Sequence, residues 1–136
     1  MQDVTIQNNR IHRQHAHETH LVEAWGRDSI RVRMTLNANI EDEIPGVLLP
    51  SDAGAPEVVE SDDLVTLRNG KLQVDMDIMG RLTFRHARTG EVLCEESEFH
   101  LPPRPNLARR YRDLGGGQYA ASLELKAHQN ERFFGM

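Results

Sequence analysis

Residues 64–96 read LVTLRNGKLQVDMDIMGRLTFRHARTGEVLCEE, and the alternation inside this stretch decides the fold. Leu72, Val74, Met76 and Ile78 fall on one face of an extended chain, with Lys71, Gln73, Asp75 and Asp77 on the other. Leu82 and Phe84 then oppose Arg81, Thr83 and Arg85. A period of two with one oily face predicts an antiparallel sheet that covers a core on one side and meets water on the other. Three turn signals divide the stretch into four strands. Asn69-Gly70 is a hairpin dipeptide, and as a type I′ turn it is expected to take positive φ at both residues. Met79-Gly80 and Thr89-Gly90 supply the next two breaks.

Working outward, the chain upstream continues in strands. THLVEAW (19–25) and SIRVRMT (29–35) flank a Gly26-Arg27-Asp28 turn, with Ile30, Val32 and Met34 facing inward and Arg31 and Arg33 outward. Residues 1–20 are polar and weakly alternating, with Val4, Ile6 and Ile11 as strand positions. From Leu36 to Pro56 the pattern fails, although Ile44, Val47, Leu48 and Leu49 form an apolar patch between prolines. A loop that long is uncommon in a compact domain, so it either folds back over an open end of the sheets or meets another domain. Downstream, 97–117 reads as a second irregular stretch, rich in proline and ending in the flexible connection Gly115-Gly116-Gly117. The last strand is expected at Tyr119–Ala127, with Tyr119, Ala121, Leu123 and Leu125 on one face. The fold class is all-β, an antiparallel β-sandwich.

The chain has 136 residues, enough for one core that buries roughly two-thirds of the unfolded surface. A net charge of −5 argues against nucleic acid or an anionic membrane as the partner. The single cysteine, Cys94, sits in an apolar strand and reads as a buried thiol in a reducing, cytoplasmic compartment. Neither a signal peptide pattern nor a run long enough to span a membrane is present.

Candidate chemistry is sparse. His17 and His20 are three apart, whereas a zinc helix of the HExxH kind needs histidines four apart on one face. His15 and His17 can share one strand face around a metal; the alternative is a solvated polar edge strand. Asp75 and Asp77 can pair as a carboxylate dyad, yet Lys71, Gln73 and Arg81 beside them describe a solvated face. Arg104, Arg109, Arg110 and Arg112 form a basic cluster that reads either as a phosphate or acidic-sugar grip or as loop arginines paired with acids. Trp25, the sole tryptophan, can stack on a sugar but reads first as core rim. No catalytic residue, metal site or cofactor is expected.

Three segments carry a family resemblance. AWGRDSIRVRMT (24–35) resembles the opening strands of the N-terminal domain of glycoside hydrolase family 31, the α-glucosidases and α-xylosidases. NGKLQVDMDIMGRLTFRHARTGEVLCEE (69–96) is similar to that domain's central meander. GGGQYAASLELKAHQNERFFGM (115–136) resembles the passage into the catalytic barrel, matching the family ending at Glu131, Arg132, Phe134, Gly135 and Met136. It departs at Leu125, where the family often has Phe, and lacks the Gly-Gln that follows Met136. Pro-Arg-Pro at 103–105 and the Gly-Met ending look most like the α-xylosidase-like branch.

The resemblance implies a galactose-mutarotase-like sandwich of the supersandwich type, residues 1–136 forming one N-terminal domain whose catalytic (β/α)8 barrel is absent. Family members are retaining enzymes with an aspartate nucleophile and an aspartate acid, both in that barrel. The domain itself is then non-catalytic, and its partners are its own barrel and, through the parent enzyme, a carbohydrate. Val47, Leu48, Leu49, Phe133, Phe134 and Met136 are the candidates for docking on the barrel; left uncovered, they can draw the isolated domain into a homodimer. The alternatives are a free-standing carbohydrate-binding module, for which 5% aromatic residues is thin, and a mutarotase-like enzyme, for which the histidines cluster on the wrong edge.

Overall fold

A computed structural model describes residues 3–37, 39–40, 54–97, 99–101, 104–106 and 108–127, and every regular element among them is a β-strand. The chain divides into two compact units, 1–93 and 94–136. The first unit carries two antiparallel meanders. One is a four-stranded sheet of β1 (Val4–Gln7), β2 (Arg10–His15), β3 (Glu18–Ala24) and β4 (Ile30–Thr35), in that order. The other is β5 (Glu57–Glu60), β6 (Leu64–Asn69), β7 (Leu72–Asp77), β8 (Leu82–His86) and β9 (Val92–Glu95), again in chain order, with β9 running on into the second unit.

Alternation along each strand sends one set of side chains between the sheets. Ile11 and Val22 from the first sheet meet Val65, Leu67, Val74, Met76 and Leu82 from the second, all essentially without solvent contact. Ile30, Val32, Met34 and Phe84 pack around them, as the period of two predicts. Each such side chain removed from water contributes about 1.5–3 kcal/mol, which makes this the main favourable term of the unit. The four strands of 64–96 and the turns at Met79-Gly80 and Thr89-Gly90 are where the sequence puts them, and β-sandwich is the fold class.

Several details differ from expectation. Asn69 ends β6 in extended conformation, paired with Leu72; the two turn residues are Gly70 and Lys71, and only Gly70 has positive φ, at 58°. That is the requirement of a type II′ turn rather than I′. Ile78 leaves the oily face because β7 ends at Asp77, so its side chain stands 55% exposed in the turn. The supposedly solvated face of β7 buries Asp75. A type I′ turn does occur, at Asn8-Asn9 between β1 and β2, where φ is 51° and 56°. Strand β5 was hidden by its shortness and by the irregular run before it.

In the second unit, most of the described residues of 97–117 are strand rather than loop. β10 (Phe99–Leu101) pairs with β11 (Arg104–Asn106), and β12 (Arg109–Gly115) with β13 (Gln118–Leu123). Proline misled because Pro105 lies in a two-stranded ribbon, where every strand is an edge and a missing N–H interrupts no interior ladder. The glycine run is a tight turn: Gly115 pairs with Gln118, and Gly116 and Gly117 sit at φ 62° and 77°. Its backbone is tied down by Gly115 N–H, which donates to Asp113 Oδ1 at 2.7 Å. β13 ends at Leu123, and only an isolated bridge between Glu96 and Leu125 continues it. Leu123 and Leu125 are 49% and 44% exposed, so the expected apolar face is uncovered there. Tyr111 and Tyr119 meet edge to face at 5.7 Å across the ribbon.

Candidate functional site

The outward face of the four-stranded sheet holds a buried carboxylate. Register places Glu23 on β3 opposite Arg31 on β4, with Arg33 diagonal to it and Arg10 beside it on β2. Glu23 is 2% exposed, although it faces away from the core. Its Oε1 accepts from Arg31 Nε at 2.7 Å and Arg33 Nη2 at 2.9 Å; its Oε2 lies 3.3 Å from Arg10 Nε. Arg31 also lays its guanidinium over the indole of Trp25, 3.5 Å from the ring centroid. Three planar guanidiniums thereby roof the carboxylate, and their aliphatic stems exclude water from it.

Two shallow clefts open on this face and meet at Asn8 and Arg10. The larger, of about 320 Å³, is lined by Thr5, Gln7, Asn8, Arg10, His12 and Leu21. The smaller, of about 180 Å³, takes in Asn9, Glu23 and Trp25 as well. The left-handed Asn8-Asn9 turn sets the lip of both. Chemically the face offers hydrogen-bond donors and acceptors beside one aromatic ring. Neither cleft brings together two carboxylates.

The outward face of the five-stranded sheet repeats the theme. Asp75, on β7, accepts from Thr66 Oγ1 at 2.9 Å, Gln73 Nε2 at 2.8 Å and Arg85 Nε at 2.9 Å. Asp77 instead caps its own turn: its Oδ1 accepts from the N–H groups of Met79 and Arg81, both at 2.9 Å, and its Oδ2 lies 3.1 Å from Arg81 Nε. The two aspartates thus have separate partners and do not form a dyad. In the second unit Glu96 and Arg109 form a buried pair, with Arg109 Nη2 3.5 Å from Glu96 Oε2.

The sequence-predicted site residues scatter. His17 sits in the turn after β2 while His15 is on the strand, so the two do not share a strand face; His15 Nδ1 is 2.6 Å from Asp3 Oδ2. His20, fully buried, pairs with Glu18 at 2.8 Å. Within the basic cluster β12 alternates, so Arg109 turns to Glu96 and Arg110 points the other way to an ion pair with Glu124; the side chain of Arg104 lies outside the described residues. Trp25 lies just beyond β3, half-buried under Arg31 rather than in the core. Cys94, on β9, is half-buried rather than buried. Val47, Leu48, Leu49, Phe133, Phe134 and Met136 lie outside the described residues. The Glu23 cluster was missed, although an acid alone among outward arginines on three adjacent strands is a readable cross-strand signal.

No model of a protein family matches the chain. In sequence it is 28% identical over 131 residues to an uncharacterized family 31 glucosidase, ORF2, of Pseudescherichia vulneris, an alignment covering 85% of this chain and 24% of that protein. In structure it matches a crystal structure of a GH31 α-xylosidase from a soil metagenome complexed with xylose, with a TM-score of 0.82 and 20% identity over 93% of this chain and 21% of the other. The chain therefore spans about a quarter of the length of the curated relative it matches.

Proposed function

From a chain that is a β-sandwich domain related to family 31 glycoside hydrolases, we infer the non-catalytic N-terminal domain of a retaining α-glycosidase. One observation carries this reading: nearly the whole chain corresponds to about a fifth to a quarter of much larger relatives. Asp75 and Asp77 are each engaged by neighbouring side chains or backbone, so the one carboxylate pair that the sequence offered is not a dyad. In this reading the domain has a galactose-mutarotase-like fold, packs on a (β/α)8 barrel and shapes the rim of its active site. Docking through Val47, Leu48, Leu49, Phe133, Phe134 and Met136 belongs to the same proposal, as do an α-xylosidase or α-glucosidase activity of the parent enzyme and a cytoplasmic location.

The test is hydrolysis. The chain is expected to cleave neither aryl α-glucosides nor aryl α-xylosides after rigorous repurification. Turnover that survives repurification and disappears in Asp75→Asn or Asp77→Asn would overturn the non-catalytic assignment.

A further inference from the structure

Each of the two meanders ends in outer strands that, among the described residues, have a neighbouring strand on one side only. Such an edge offers a row of backbone N–H and C=O groups to any other strand, and proteins commonly guard it with charge. β4, β5 and β9 are guarded or engaged. Self-pairing of β5 about its centre would set Glu57 against the partner's Glu60, and self-pairing of β4 about Val32 would set Arg31 against the partner's Arg33. The end of β9 is met by residues 124–126, where the Lys126 N–H donates to the Glu95 carbonyl oxygen at 2.9 Å. β1 is different, with no Lys, Arg, Asp, Glu or Pro in the strand. The Gln14 N–H donates to the carbonyl oxygen of Asp3 opposite it, so alternation turns the N–H and C=O of Asp3, Thr5 and Gln7 toward β2. The two-residue Asn8-Asn9 turn, closed by Gln7 and Arg10, gives the same phase. The N–H and C=O of Val4 and Ile6 therefore point to the open edge. Val4 packs on the core, Ile6 on the same face is 36% exposed, and Thr5 and Gln7 stand exposed on the outward face.

We infer that β1 is a self-pairing edge, which takes β1 of a second copy of the chain antiparallel about a two-fold axis at Thr5. The segment Asp3-Val4-Thr5-Ile6-Gln7 is complementary to itself about that axis. Val4 of each copy lies opposite the partner's Ile6, and the two pairs exchange four backbone hydrogen bonds. Their side chains meet on the core side, where the pairing covers the exposed Ile6. On the outward side Thr5 meets the partner's Thr5, a favourable cross-strand pair. Asp3 meets the partner's Gln7, a carboxylate acceptor facing an amide donor. No like charges oppose one another, and the same patch serves both copies, as an isologous contact requires. Two four-stranded sheets become one of eight strands. The contact is small, below the roughly 1,200 Å² of total buried surface at which stable complexes begin, so the dimer is weak and exchanges with monomer. The inference stands on residues 3–7 and not on the family 31 reading, so the hydrolysis assay does not decide it.

Sedimentation velocity of the chain between about 0.01 and about 1 mM should show a sedimentation coefficient that rises with concentration, as a weak complex gives. Over the same range amide hydrogen exchange, followed by NMR, should slow at Val4 and Ile6. The amides of Thr5 and Gln7, already paired with β2, should be protected at the lowest concentration. Thr5→Lys sets two ammonium groups face to face across the axis and should abolish the rise; Thr5 is exposed, so the fold is retained. Thr5→Glu should abolish it as well. An equimolar mixture of the two variants should associate again, which a misfolded variant could not do. Phe133→Ser/Phe134→Ser should leave the association unchanged, which separates this edge from the docking face of the family reading. The inference is overturned by a chain that stays monomeric across the range, by unchanged exchange at Val4 and Ile6, or by association that survives Thr5→Lys. It is equally overturned by a mixture no more associated than either variant alone, or by loss of association in the phenylalanine variant.

Discussion

Replacing Glu23 by Gln removes one charge and almost no volume, which isolates the electrostatic role of a carboxylate that is 2% exposed outside the core. Its partners differ in accessibility: the Arg31 and Arg33 side chains are each 18% exposed, Arg10 47%. In the variant, three guanidiniums converge on an amide that offers one acceptor, and the two largely buried ones lose most of their compensation. Breaking a buried ion pair from one side costs about 3–5 kcal/mol. Native stability is only about 5–15 kcal/mol in total, so this is a large share of it. Urea unfolding with a slope of about 1–3 kcal/mol per molar turns that loss into a midpoint lower by about 1 M or more. Arg10→Ala is the control, since a half-exposed partner should cost no more than about 1 kcal/mol. If Glu23→Gln unfolds within about 0.3 M of the wild type at an unchanged slope, the buried-carboxylate account of this face is wrong.

Two glycine substitutions should separate strain from collision. Gly70→Ala, at φ 58°, drives its Cβ into Asp28 Oδ1 and the Arg27 carbonyl oxygen, and is expected to cost at least about 2–3 kcal/mol by thermal or urea unfolding. Gly90→Ala, at φ 74° with open space around it, should cost only about 1 kcal/mol; equal losses at the two sites would refute the packing assigned to the Gly70 turn. Removing the Asp75 carboxylate by Asp75→Leu should lower stability by about 1–3 kcal/mol, because Thr66 and Gln73 each lose a close acceptor. A neutral result there would mean that the network on the five-stranded sheet holds nothing in place.

The meander was legible because binary pattern and turn chemistry agree from Leu64 to Glu95, and period two leaves a single choice of face. What failed was local chemistry overridden by tertiary contact. Asn69 looks like a turn residue, but its amide donates to the carbonyls of Gly26 and Ser29, at 2.9 and 2.8 Å, which moves the turn one residue on. Proline and glycine in 97–117 suggested irregularity, although a two-stranded ribbon tolerates the first and its turn requires the second. The Glu23 cluster, readable only once the strands are paired, was missed for another reason. A charged residue at an outward position normally meets water, and only the pairing of β2, β3 and β4 shows that three arginines cover this one. The same holds for Asp75, whose polar neighbours suggested solvent and instead supply its hydrogen bonds.

The buried Asn69 amide bears on how the protein ages. In an unfolded chain an Asn-Gly dipeptide cyclises readily to a succinimide, because the glycine nitrogen can swing onto the asparagine side-chain carbon. Here Asn69 is extended and 1% exposed, and both of its amide hydrogens are engaged by carbonyls 40 and 43 residues away. The native hairpin therefore withholds the geometry that cyclisation needs, and the chemistry becomes available only when β6 and the 26–29 loop separate. Isoaspartate at position 69 is then a record of openings accumulated over the lifetime of the molecule, written by the same two hydrogen bonds that keep the turn in register.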